Sequence, residues 1–325
     1  MLQGKIIDTM TNTVDAIAID QSRCLRMRFN KNSCSECIKH CRFNAVRINE
    51  GVDIKRDACS ECMLCISVCP SGCFDAKATD FYSLIARLKK AGNSVPAPVL
   101  GCKARADLKA HERTLCFGFL SEDHIIALSV FLEGQLQINL TGCADCRNGF
   151  IVDILKKRIG SITKNTSLNV FEKICLVEDG SELHYQDISF DRRGFFKAIK
   201  NLTFFHVSEF FENDEVMAPQ SYSAKKIPIK RDLLNRVISY KKGDNTALLE
   251  NYYYTVDITE DCNNCFACIG MCPTGALKIE AAGDGRELSF NTSLCSGCGL
   301  CEGFCMNNAI LIKRGFRGHN PFEFA

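Results

Sequence analysis

The sequence predicts an α+β multidomain chain in which two small cysteine-bound modules flank a small α/β domain with a parallel sheet. Three observations lead there. The chain has 22 cysteines in 325 residues, grouped at both ends and in the middle. The middle alternates strand-like and helix-like patterns. Apolar residues make up 46% and charged residues 24%, an ordinary globular balance. Six histidines are too few for imidazole-led metal chemistry, so thiolate is the expected ligand.

Dense cysteine means disulfides in an oxidising compartment or metal in a reducing one. Residues 1 to 20 show no basic stretch followed by an apolar one and no paired arginine, so no export signal is expected. The longest apolar run, about Ile125 to Leu132, is far short of the roughly 20 residues of a membrane helix. A cytoplasmic chain with metal-bound thiolates and no membrane span follows. The net charge of +2 then understates the local fields, because clusters bring their own charge and the basic side chains can serve as internal counter-ions. No nucleic-acid partner is expected.

At the C-terminal end the spacing is Cys262-x2-Cys265-x2-Cys268-x3-Cys272-Pro273, then Cys295-x2-Cys298-x2-Cys301-x3-Cys305. Spacings of two residues let a tight loop offer three thiolates to three corners of one iron cube, and the fourth cysteine points to the other cube. Zinc knuckles use pairs of CxxC and do not show this pattern. Residues 255 to 313 resemble bacterial-type two-cluster [4Fe-4S] ferredoxins. The resemblance implies one cluster on Cys262, Cys265, Cys268 and Cys305 and another on Cys295, Cys298, Cys301 and Cys272. Met306 departs from it, standing where the second motif usually has proline. The runs Ala276 to Ile279 and Ala309 to Ile312 read as strands, and Gly283 to Gly285 as a turn.

The N-terminal module, residues 1 to 78, repeats the pattern with a defect. Cys59-x2-Cys62-x2-Cys65-x3-Cys69-Pro70 is complete, but its companion begins with Lys31 before Cys34, Cys37 and Cys41. By the crossing rule Cys59, Cys62, Cys65 and Cys41 hold one cluster. Cys34, Cys37 and Cys69 lack a fourth ligand. Cys24, seven residues upstream of Lys31, either supplies it through a short loop or stands by a three-iron cluster.

In the middle domain, residues 79 to 179, Phe81, Leu84, Ile85 and Leu88 have helical spacing behind a possible Asp80 cap. Pro98 to Cys102, Leu115 to Leu120 and Gln137 to Cys143 read as strands. Ser121 to about Leu132 and Asn148 to Ile159 read as helices. Ligands of such a sheet sit at its carboxyl ends. Cys102, Cys116, Cys143 and Cys146 converge there as an iron–sulfur site, a structural zinc site or redox thiols. Phe131 to Gly134 with Gly142-Cys143-Ala-Asp-Cys146 and Gly149 resembles the iron–sulfur delta subunit of methanogen hydrogenases. Cys73 and Cys175 are expected to be packed thiols.

Residues 180 to 254 contain no cysteine. Their basic positions Arg192, Arg193, Lys225, Lys226, Lys230 and Arg231 are expected either to dock an acidic partner or to face the negative clusters. The C-terminal module occupies 255 to 325. No dinucleotide, P-loop, zincin or covalent-haem signature is present. The chain is therefore expected to carry four [4Fe-4S] clusters and a fifth in the middle domain. It reads as an electron-transfer subunit, similar to polyferredoxin subunits of anaerobic metabolism, that relays electrons between a catalytic oxidoreductase subunit and a soluble electron carrier. A self-contained iron–sulfur reductase with substrate at the middle site is the alternative.

Overall fold

The computed structural model describes residues 14–77, 79–188, 225–240, 246–283, 285–318 and 320–324. Arg192 and Arg193 lie outside them. The strands, in chain order, are β1 (Ile17–Ile19), β2 (Val46–Ile48), β3 (Val52–Ile54), β4 (Phe74–Ala76), β5 (Val99–Cys102), β6 (Glu112–Thr114), β7 (Leu136–Asn139), β8 (Ile174–Val177), β9 (Tyr254–Ile258), β10 (Leu277–Ala282), β11 (Gly285–Phe290) and β12 (Ile310–Arg314). The chain forms two compact units. One comprises residues 1–77, 164–167 and 218–325, and the other residues 78–163 and 168–217. Among the described residues no helix is long and apolar enough to cross a membrane.

The first unit contains both terminal modules, built on one plan. In each, the first and last strands pair antiparallel, β1 with β4 and β9 with β12, and a hairpin lies between the two cysteine motifs, β2 with β3 and β10 with β11. The N-terminal hairpin alternates buried and exposed residues, Val46, Ile48, Val52 and Ile54 facing inward while Arg47 and Asp53 face water. Gly283, at φ 56°, turns the C-terminal hairpin. The buried cluster of that module consists of Cys268, Cys272, Cys295 and Cys301 with Ala276, Leu277, Leu294 and Ile310. Its centre is thus half thiol, which leaves the module a small aliphatic core.

The second unit is a four-stranded parallel sheet in the order β6-β5-β7-β8. Asp80 caps the helix Phe81–Gly92 by accepting from the Tyr82 N–H, and Ser121 caps Glu122–Phe131 by accepting from that of His124. Phe81, Leu84, Ile85 and Leu88 are all buried. The helix Glu122–Phe131 is buried on every side, which explains its lack of a polar stripe.

Leu115 to Leu120 is not the strand its apolar run suggested. The strand is Glu112–Thr114, and Phe117–Phe119 form a single 3-10 turn. The Arg158 guanidinium donates to the carbonyls of Gly118 and Leu120, which a strand would have paired across the sheet. Phe119 meets Phe81 edge to face, with centroids 6.0 Å apart. Residues 170 to 177 form a helical turn at Val170–Lys173 followed by β8, which carries Cys175.

Candidate metal centres

Three of the four terminal motifs fold the same way. The residue before the second cysteine and the one after it are left-handed: Glu61 and Met63, Asn264 and Phe266, Gly297 and Gly299. The second of each pair starts a short helix, Leu64–Val68, Ala267–Met271 or Leu300–Phe304, that carries the third cysteine and ends at the fourth. Alternating hand aims successive N–H groups into one concavity, the geometry that receives anionic iron–sulfur centres. The Glu61 and Gly297 N–H groups each donate to a cysteine Sγ, of Cys59 and Cys295, at 3.4 Å. Non-glycine residues in this region cost energy and persist where the surroundings impose them.

The loop beginning at Lys31 differs, since Ser35, at φ −141°, precedes its helix Glu36–Lys39 and no left-handed pair occurs. Even so, Cys34 lies within electrostatic reach of Cys69 and Cys24, and Cys37 within reach of Cys69, Cys34 and Cys24. Burial, reinforced by those thiols, pushes Cys37 up to about 12. A hydrogen bond from Cys73, opposed by burial, lowers Cys24 to about 6. The structure therefore gathers Cys24, Cys34, Cys37 and Cys69, with Cys73 packed among them as a buried thiol.

Cys41, Cys59, Cys62 and Cys65 all line one cavity of about 20 Å³ with Ile17, Phe43 and Met63; a cubane there must part the loops that carry the thiols. Cys262, Cys265, Cys268 and Cys305 line a roomier cavity of about 260 Å³, walled by Phe266, Phe304 and Leu288. At its edge Cys265 is exposed and Met306 is 94% exposed. Cys272 lies within electrostatic reach of Cys295, Cys298 and Cys301. Burial pushes Cys295 up to about 12 and Cys268 to about 11.

Two positions of the basic strip, Lys225 and Arg231, turn inward, while Lys226 is exposed. Lys225 donates to the Ile269 carbonyl and lies near Cys272. Arg231 is only 4% exposed. Its Nη2 donates to the Tyr252 carbonyl at 2.8 Å, and its guanidinium stacks 4.5 Å from the Tyr253 ring centroid. Its Nε and Nη1 have no protein partner, and its charge acts on Cys295. A buried cation with unspent donors beside these thiols fits an anionic cluster, which would supply the missing compensation.

In the second unit Cys102 ends β5, and Cys143 and Cys146 follow β7. These two strands are neighbours at the point where the strand order reverses, the usual ligand crevice of an open parallel sheet. From Leu140 to Val152 the chain winds through consecutive i to i+3 turns, with Cys143, Cys146 and Gly149 as successive donors and acceptors. Such turns eclipse residues three apart and put both thiols on one side. A Cβ at Gly149 would lie 2.5 Å from the Cys143 carbonyl, so the winding requires glycine. Burial, with Cys146 and Cys102 nearby, pushes Cys143 up to about 11, and Arg105 stands beside both loop thiols. Cys116 lies two residues beyond Thr114, which is in register with Cys102, and so sits at the same end of the sheet. Among the described residues no three His, Cys, Asp or Glu side chains close around a single metal ion. Zinc at about 2.3 Å from each sulfur would need tighter convergence.

Residues 250–315 match the 4Fe-4S dicluster domain family, so the chain carries a cluster-binding dicluster domain at that end. No curated protein and no solved structure matches the chain.

Proposed function

We propose that this chain is an electron-transfer subunit relaying single electrons between a catalytic oxidoreductase subunit and a soluble, ferredoxin-like carrier. The observation that carries this reading is the proximity of thiol sets within one unit: Cys65 is within electrostatic reach of Cys37, which belongs to the neighbouring set. Arg28 adds a tie between modules, donating to the carbonyls of Met271 and Gly270 next to Cys272. Four sets of thiols would hold four [4Fe-4S] clusters, with ligands Cys24, Cys34, Cys37 and Cys69; Cys41, Cys59, Cys62 and Cys65; Cys262, Cys265, Cys268 and Cys305; and Cys272, Cys295, Cys298 and Cys301. Cys102, Cys116, Cys143 and Cys146 would hold a fifth. When bound, such clusters supply reversible one-electron oxidation and reduction, with potentials set by hydrogen bonds to sulfur, charge and exposure.

The chain's own residues supply those controls. Glu61 and Gly297 donate N–H groups to sulfur, and Arg231 places positive charge beside Cys295. A second reading, a reductase with substrate at the middle site, is favoured by the position of Cys102, Cys143 and Cys146 at the switch point, where parallel sheets bind ligands.

The test is anaerobic reconstitution of the full chain, with iron, acid-labile sulfide and EPR of the reduced protein, followed by mixing with oxidised ferredoxin. Iron and sulfide for five clusters, interacting paramagnets and rapid ferredoxin reduction are expected. Zinc without sulfide, or clusters that pass no electrons to ferredoxin, would overturn the reading.

A further inference from the structure

Two irregularities of the N-terminal module fall on one centre. In the other three thiol sets the residue four beyond the closing cysteine is alanine: Ala45 after Cys41, Ala276 after Cys272 and Ala309 after Cys305, all buried. The N–H groups of Ala45 and Ala309 donate to the sulfurs of Cys41 and Cys305 at 3.2 and 3.4 Å. In the fourth set this position is Cys73, 2% exposed, whose N–H donates to the Cys69 sulfur at 3.2 Å. The backbone is the same, but a methyl has become a thiol. The Asp20 N–H donates to the Cys73 carbonyl at 2.8 Å, which brings the turn that leads to Cys24 against Cys73, and that thiol lies within electrostatic reach of Cys24, Cys69 and Cys37. The set that lost a cysteine at Lys31 is therefore the set that gained one at Cys73, and Cys24 touches the gain.

We propose that the N-terminal centre is a five-thiol site in which Cys34, Cys37 and Cys69 hold three corners of a cube while Cys24 and Cys73 exchange as ligand of the fourth. The proposal rests on the reading of this module as a two-cluster module. In the exchange the bond from iron to the Cys24 sulfur breaks and one to the Cys73 sulfur forms. The Cys73 proton passes to the released Cys24 sulfur, and no electron is gained or lost. Whichever thiol is unbound donates to the bound sulfur. A hydrogen bond to a ligand sulfur favours the more reduced cluster, so removing either thiol shifts the potential of this centre. Burial of both side chains keeps competing water away from the fourth corner during the exchange.

Wild type, Cys24→Ala, Cys73→Ala and the double variant, reconstituted as full chains, test this by iron and sulfide content and by EPR of the oxidised protein. Each single variant is expected to keep wild-type iron and show no three-iron signal, with the potential of one centre shifted. The double variant is expected to lose one iron per chain and show that signal. Should it fail to fold, Cys24→Val with Cys73→Ala restores volume at the first position while still removing both thiols. A three-iron signal in either single variant overturns the exchange, since the other thiol then cannot serve. Unchanged iron in the double variant overturns it too. Wild-type protein short of one N-terminal cluster marks failure of the underlying two-cluster reading instead; full wild-type iron with a three-iron single variant marks failure of the exchange alone.

Discussion

Lys230 Nζ donates to the main-chain oxygen of Cys69 at 2.6 Å across 161 residues of sequence. With Arg23, whose Nε donates to Ser71 and Nη2 to Lys226, and Arg28, which donates to Met271 and Gly270, it forms a seam of cations on main-chain oxygens that ties the N-terminal module to the segment before β9 and to the C-terminal module. Of the basic positions expected to dock a partner or to face the clusters, Lys230 spends its charge within the unit.

Replacing Lys230 with Met keeps the apolar stem and removes the charged donor. A hydrogen bond from a charged group is worth about 1.5–3 kcal/mol, and Lys230 is only half-buried. A loss of about 1.5 kcal/mol on urea unfolding of the loaded protein is expected, with iron content unchanged. Lys230→Glu, facing the Cys69 carbonyl, should also lose iron. Equal stability of Lys230→Met and wild type would show that the seam does not hold the modules.

Arg231 should govern a potential. Its cation acts on Cys295, and positive charge favours the reduced, more negative state. Arg231→Met is therefore expected to lower the midpoint of the centre at Cys272, Cys295, Cys298 and Cys301 by on the order of 60 mV, a tenfold change for a one-electron couple. A redox titration followed by EPR measures it, and Arg231→Lys should recover part of the shift.

The thiols also set a pH dependence for the metal-free protein. Burial raises Cys37 and Cys295 to about 12 and Cys268 and Cys143 to about 11, each from an ordinary 9.0. The folded chain therefore holds these protons after the unfolded chain has lost them. Their contribution is fully present below pH 9 and fades as pH rises toward 12. Resistance of the metal-free protein to urea should weaken from pH 8 to pH 10. Loading must expel the same protons, so iron–sulfur affinity should rise over that interval.

Cysteine spacing made the loops legible because two-residue gaps closed by a helical turn admit few backbones. Burial of Leu84 and Leu88 followed from periodicity for the same local reason. Three features were not local. The contact between the two modules draws on Arg28, and the contact of the N-terminal module with the segment before β9 on Lys230, each reaching carbonyls far away in sequence. The partners of Arg231 lie on Tyr252 and Tyr253. Leu115 to Leu120 has the composition of a strand, and only Arg158, from another helix, reveals why it turns instead.

Exposure separates the C-terminal centres. Cys265 and Met306 are open to solvent while Cys295, Cys301 and Cys272 are buried. In the metal-free protein iodoacetamide should label Cys265 first among the C-terminal cysteines, and in the loaded protein ferricyanide should strip iron first from the centre lined by Cys262, Cys265, Cys268 and Cys305. Peptide mass spectrometry and EPR over time decide this. Earlier labelling of Cys295 would mean that the inner loops open more readily than their burial implies.

The middle site should behave independently of the terminal modules. Cys102 and Cys143 reach each other only because β5 and β7 are neighbours in the sheet, and the turns from Leu140 to Val152 add Cys146 on the same side. Cys175 lies on β8 in register with Gln137, one strand further along. Cys102→Ala and Cys143→Ala should therefore each remove about one cluster's iron and sulfide per chain while the EPR signals of the dicluster domain persist. Cys175→Ala should change neither. If Cys102→Ala leaves iron and sulfide intact, the sheet end holds no cluster; if it removes zinc alone, the loop thiols serve a structural ion. Loss of dicluster signals in the same variant would mean that the sheet supports the terminal modules and is not a separate metal-binding unit.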